Sequence, residues 1–142
     1  MRHTVFVDTD IILDLLTKRE PFYPPAAHLF SCIERQKLKA CVSSLIFANL
    51  FYILRKETSA PKAIEVLKKL RRLVTVLPVD DKIIAQSLDS GFTDFEDAIQ
   101  YHTALSKGIT YLLTRNVKDY RKPIITICTA EDFLSTQRFL LE

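Results

Sequence analysis

The sequence predicts an α/β fold, a parallel sheet of about five strands with helices on both faces, and three observations carry the prediction. Short apolar runs rich in β-branched residues alternate with longer segments of helical period. Those short runs are mainly apolar along their length, as strands covered on both faces are. The chain of 142 residues has only two glycines, no internal repeat and no low-complexity tract, so the alternation runs unbroken through one domain spanning residues 1–142.

The elements follow in order. Thr4 to Val7 is the first strand, and Asp8-Thr-Asp10 closes it before the helical pattern Asp10 to Thr17. Pro24 and Pro25 open the next helix, Pro24 to Gln36, where a missing N–H costs nothing. Leu38 to Val42 is the second strand. Ser43 or Ser44 is placed to cap the third helix, Ser44 to Lys56; Phe47, Phe51, Tyr52 and Ile53 would also suit a strand, and length decides for helix. Pro61 to Leu73 is helical, Val74 to Val79 the third strand, and Asp81 to Ser90 and Asp94 to Lys107 two further helices, the last followed by Gly108 as a C-terminal cap. Thr110 to Leu113 and Ile124 to Ile127 are the fourth and fifth strands, and a short helix starts at Ala130.

Composition bounds the function without choosing it. A net charge of +3, from 20 basic and 17 acidic residues, argues against binding polyanions by bulk charge alone. Cys32, Cys41 and Cys128 are odd in number and lack C-x-x-C spacing, which predicts buried reduced thiols and no zinc site. No apolar run approaches the roughly 18 residues of a membrane span, and no leader pattern opens the chain. The expected setting is the cytoplasm, with no membrane association. His3, His28 and His102 share no metal-binding spacing and are expected at the surface or at edges.

The informative residues are acids at strand ends. Asp8 stands at the C-terminal end of the first strand, where open α/β sheets bind ligands. Asp94 and Asp97, three apart at the start of a helix, share one face. Asn116 and Asp119 follow the fourth strand, and in a sheet of order 3-2-1-4-5 that strand neighbours the first. Two carboxylates about 4 Å apart repel by roughly 1–4 kcal/mol at surface-like dielectrics. Either some of them stay protonated, or a hard divalent cation occupies the centre. Such a cation activates water and steadies charge on a phosphodiester, so nuclease chemistry is the natural expectation.

Simpler explanations exist for several of these residues. Asp10 reads as an ordinary helix cap, and Thr93-Asp-Phe-Glu96 as a capping box that accounts for Glu96. A surface turn is an equal alternative for Asp119, and a backbone-satisfied amide for Asn49. Arg55, Lys56, Lys62, Lys68, Lys69, Arg71 and Arg72 read first as solvated helix faces, and as an RNA-backbone grip if their helices meet the acidic crevice.

Val5-Phe-Val-Asp8-Thr-Asp10, Val42-Ser-Ser-Leu-Ile-Phe-Ala-Asn49, Asp94-Phe-Glu-Asp97-Ala-Ile and Leu113-Thr-Arg-Asn116-Val-Lys-Asp119-Tyr120, in this order, resemble the PIN-domain family, particularly its VapC-type toxins. The resemblance covers nearly the whole chain. It implies a three-layer Rossmann-like PIN domain and a Mg²⁺- or Mn²⁺-dependent endoribonuclease that cleaves single-stranded RNA, the toxin of a toxin–antitoxin pair. An antitoxin protein and a second copy of the chain are the implied partners. Asp8 and Asp97 match metal-binding positions of the family, with Asn116 or Asp119 at the last acidic one and Asp94 as a further candidate. Thr9 and Thr114 match supporting polar positions, and Arg115 one suited to meet phosphate. Asn49 stands where the family commonly carries Glu. With Asn116 as a second amide at an acidic position, two formal carboxylates are missing from a four-acid pattern, which leaves two readings: compensation by Asp94 and Asp119, or a catalytically silent module that binds RNA or protein. The Asp8-Thr-Asp10 spacing also matches the D-x-D of haloacid-dehalogenase-type phosphatases, but no Gly-Thr pair follows it.

Overall fold

Residues 3–120 and 123–137 are described by the structure, a computed structural model. The elements run β1 (His3–Val7), α1 (Thr9–Leu16), α2 (Tyr23–Glu34), β2 (Leu38–Ser43), α3 (Leu45–Glu57), α4 (Ala60–Leu73), β3 (Thr75–Leu77), α5 (Asp81–Leu88), α6 (Phe95–Ser106), β4 (Tyr111–Leu113), β5 (Thr126–Cys128) and α7 (Ala130–Thr136). A single 3₁₀ turn, Val117–Asp119, which the sequence reading lacks, lies between β4 and β5. The sheet order is β3-β2-β1-β4-β5 and every pairing is parallel, as expected.

Alternation along β1 divides the interior. Val5 and Val7 join one apolar cluster with Ile12, Leu29, Ile46, Leu50, Leu67 and Phe133, from α1, α2, α3, α4 and α7. Phe6 points the other way, into a second cluster with Cys41, Leu77, Leu112, Tyr101 and Ala104, the last two from α6. Helices therefore cover both faces, and β1 has no exposed side from Val5 to Val7. Burying one such aliphatic side chain stabilises by about 1.5–3 kcal/mol.

Local chemistry sets the ends of the helices. Pro24 and Pro25 sit in the first turn of α2, as expected. Gly108, at φ +68°, follows α6 in the left-handed conformation that glycine adopts without a Cβ clash. Two expected caps are corrected. The Ser44 hydroxyl does not cap α3; it turns outward and accepts from the N–H of Val79. The capping box is absent, because Asp94 rather than Thr93 is the N-cap of α6, its Oδ1 accepting the Asp97 N–H at 3.0 Å. Among the described residues no helix is long and apolar enough to cross a membrane. Among the described residues no cysteine is in a disulfide; Cys32 and Cys41 are buried and Cys128 half-buried. His102 departs from the expected surface position: its Nε2 is enclosed and its ring packs on Phe92 and Tyr101.

Candidate active site

The site is built where β1 and β4 end. The pairing Val7↔Leu113 sets Asp8 beside Thr114, and the Asp8 N–H donates to the Leu113 carbonyl at 2.9 Å. The acidic Asp8-Thr-Asp10 turn thus lies directly against Thr114-Arg-Asn116, a juxtaposition that the parallel register enforces.

Asp8 is 4% exposed. Its Oδ1 accepts the Thr9 N–H at 2.7 Å, and its Oδ2 accepts the hydroxyls of Thr114 at 2.9 Å and Tyr120 at 3.2 Å. Burial and the nearby Asp10 charge nevertheless outweigh those donors and push the carboxyl up to about 7. The same burial and the Asp8 charge raise the Tyr120 hydroxyl, which therefore remains protonated as a donor.

Asp10 is not an ordinary cap. Asp8 occupies the N-cap of α1, while Asp10 Oδ2 accepts the Arg115 N–H at 3.0 Å and lies 3.2 Å from the Thr114 hydroxyl. Its Oδ1 is enclosed with no partner. Thr114 Oγ1 also accepts the Asn116 N–H at 3.1 Å. One hydroxyl proton cannot serve Asp8 and Asp10 at once, so the two carboxylates compete for it. Burial raises the Asp10 carboxyl as well, against the opposing pull of Arg115.

A cleft of about 450 Å³ opens over these groups, and its walls include Asp8, Thr9, Asp10, Asn49, Asp94, Glu96, Asp97 and Asn116, with Tyr52 at the rim. Asp97, 9% exposed, is pushed up to about 7 by burial first and then by the charges of Asp8, Asp94, Asp119 and Glu96. Among the described residues no Lys or Arg lines this cleft, so the wall they form carries negative charge with no compensating cation.

The expected residues are distributed as follows. Asp8, Thr9, Asn49, Asp94, Asp97 and Asn116 come together in the cleft, and Thr114 is buried beneath it. Asp119, exposed on the 3₁₀ turn, stands outside the lining, and its charge acts on Asp97 from there. Arg115 turns its guanidinium away: Nε lies 2.9 Å from Asp14 Oδ2, and the group stacks 4.1 Å from the Phe22 ring centroid. Asn49 is not satisfied by backbone; its Nδ2 donates to Glu96 Oε1 at 3.1 Å.

Sequence reasoning passed over Asp10, Asp14, Glu96 and Tyr120. Asp10 and Glu96 each had a sufficient local explanation as caps. The signal that could have found Glu96 is surplus: Asp94, Glu96 and Asp97 together exceed what one helix terminus needs.

The donor set suits a hard divalent cation. It is made of oxygens only, it includes the unpartnered Asp10 Oδ1, and its carboxylates raise one another. Among the described residues no three His, Cys, Asp or Glu side chains are gathered closely enough to hold a metal ion between them. Mg²⁺ and its like do not need three such ligands, since they keep several waters and take one or two carboxylates.

Comparison with known proteins agrees with this architecture. The PIN domain family model matches residues 4–118. Ribonuclease VapC1 of Aquifex aeolicus is 27% identical over 134 residues, 91% of this chain and 92% of that one. Among solved structures, DNA-bound VapBC from Salmonella typhimurium has a TM-score of 0.67 at 18% identity, covering 92% of this chain and 99% of that chain. VapC20 of Mycobacterium tuberculosis, a sarcin–ricin loop cleaving toxin, has a TM-score of 0.61 at 20% identity over 76% of this chain and 86% of that one. At those identities the structural likeness speaks for the fold alone.

Proposed function

The chain belongs to the PIN-domain family, and from that premise we propose that it is a divalent-metal-dependent endoribonuclease of the toxin type acting on single-stranded RNA. The observation that carries the reading is the acidic cleft at the joined ends of β1 and β4, walled by Asp8, Asp10, Asp94, Glu96 and Asp97 with no basic side chain among the described residues of its lining. A polyanion cannot approach five carboxylates unless positive charge is supplied there.

Asp8 and Asp97 are the residues to hold Mg²⁺ or Mn²⁺, with Asn116 as a further oxygen donor, Asp94 at the cleft wall and Asp119 acting from outside the lining through its charge. When bound, the cation supplies Lewis acidity toward a water and toward the phosphodiester oxygens. The chain's own groups prepare the place. Thr114 and Tyr120 fix the Asp8 carboxylate by hydrogen bonds to Oδ2, and Thr9 fixes Oδ1. Asp97 accepts no side-chain hydrogen bond among the described residues, which leaves its oxygens for a cation or for the attacking water's proton. Tyr52, 59% exposed at the rim, with the Arg55 guanidinium 5.9 Å from its ring centroid, gives an unpaired base a surface to stack on and its phosphate a positive neighbour. Arg115 serves the site by its backbone N–H to Asp10 and by its ion pair with Asp14.

An antitoxin protein and a second copy of the chain are the proposed partners. The relatives solved as VapBC complexes support the antitoxin partner, and the exposed apolar side chains Ile64 and Phe95 are surface for either partner to cover. Three cysteines without a disulfide among the described residues suit the reducing cytoplasm.

The test is cleavage of a panel of short single-stranded RNAs by purified protein with Mn²⁺ or Mg²⁺, beside EDTA and Asp8→Asn. The expected result is cleavage abolished by chelation and by the substitution, with the fold unchanged by circular dichroism. Binding of RNA without cleavage by well-folded wild type would favour the silent-module reading instead.

A further inference from the structure

Glu96 is the second residue of α6, a place where an acid is ordinarily explained by the helix terminus. That explanation is already taken up: Asp94 caps the helix through the Asp97 N–H, and Asp97 adds a carboxylate in the same turn. The Glu96 side chain instead crosses the cleft. Its Oε1 accepts from Asn49 Nδ2 on α3 at 3.1 Å and, more weakly, from Thr9 Oγ1 on α1 at 3.4 Å. Both donors meet the same oxygen, so Oε2 receives no hydrogen bond from the described residues.

A half-buried glutamate next to Asp97 would relieve repulsion by rotating into water, and nothing covalent prevents it. It is tethered into the acidic cleft by two donors, 47 and 87 residues distant in sequence. A fold that gathers negative charge against Coulomb repulsion holds it for a positive ligand. The geometry points to Glu96 as a further ligand of the divalent cation, with Asn49 as the positioning residue that holds Oε1 so that Oε2 faces the ion. The negative charge on the α3 side of the cleft is thus delivered from α6. The inference rests on the nuclease reading of the same cleft.

The experiment is Mn²⁺ titration followed by the free-ion electron paramagnetic resonance signal, on wild type, Asp8→Asn, Glu96→Gln and the exchange Asn49→Glu with Glu96→Gln, each checked for fold by circular dichroism. RNA cleavage by the same samples is the second readout. Glu96→Gln is expected to weaken Mn²⁺ binding tenfold or more and to slow cleavage. The exchange puts the carboxylate on α3 and the amide on α6, preserving the hydrogen bond between them, and is expected to recover affinity to within about threefold. Wild-type Mn²⁺ affinity in Glu96→Gln, beside lost affinity in Asp8→Asn, would overturn the inference and leave the nuclease reading standing. Failure of the exchange to recover affinity would also overturn it, since the loss would then follow from packing. A wild type that takes up no Mn²⁺ would overturn both.

Discussion

Asp97→Asn should make the metal-free protein more stable while removing its activity, and the size of the gain follows from the site. Asp97 is 9% exposed, and its carboxyl is held at about 7 against an ordinary 3.8 by burial and by four neighbouring acids. Ionising it inside the fold therefore costs on the order of 4 kcal/mol more than ionising it in the open chain. The folded carboxyl holds its proton more tightly than the unfolded one, so its contribution to stability is complete below pH 3.8 and is lost as pH rises through 7. An amide of the same shape does not titrate and escapes that loss. Allowing half of the ceiling for imperfect placement of the amide, Asp97→Asn should gain about 2 kcal/mol at pH 8, or roughly 6 °C in Tm for a domain of this size. At pH 4.5, where most wild-type Asp97 is protonated, the gain should fall to about a quarter of that. Scanning calorimetry in EDTA at the two pH values measures both. Mn²⁺ should raise the Tm of wild type at pH 8 and raise that of the variant less. An unchanged or lowered Tm at pH 8, or an equal gain at both pH values, would refute the account of the cleft as repelling charges held in place.

Two further consequences concern the frame around the cleft. Arg115→Leu removes the ion-pair partner of Asp14, whose side chain is 2% exposed and whose Oδ1 has no hydrogen bond among the described residues, leaving only the more distant charge of Arg19. The expected loss is about 2 kcal/mol in urea unfolding, less than the full cost of breaking a buried pair because Arg115 keeps about a third of its side chain in water, and adding Asp14→Asn should recover part of it. Asp80→Ala removes the oxygen that accepts the Ile83 N–H at 2.9 Å and caps α5, which should lower stability by about 1 kcal/mol without altering RNA cleavage.

How much of this was legible in the chain depends on the range of the interaction. The alternation of β-branched runs and helical periods is written in neighbours a few positions apart, and it placed five strands and seven helices within a few residues of where they lie. Boundaries moved where strands are three residues long. At β5, expected over Ile124 to Ile127, the observed span is Thr126–Cys128, because a short strand's limits are set by its partner β4 rather than by its own side chains. The 3₁₀ turn after β4 was invisible for the same reason.

The sequence by itself determined that acids stand at the ends of β1 and at the start of α6, since a strand's end and a helix's start are local events. Only the tertiary structure decided what those acids do. The Thr114 hydroxyl reaches Asp8 across 106 residues and the Asn49 amide reaches Glu96 across 47. Such contacts exist only once the parallel register has brought β1 and β4 together and the fold has brought the start of α6 to α3. Asp10 and Glu96 satisfied local rules for helix termini, and those rules are blind to which direction a side chain turns. Direction was decided by the donors waiting on the other segments, and by the burial that makes a carboxylate without a partner costly.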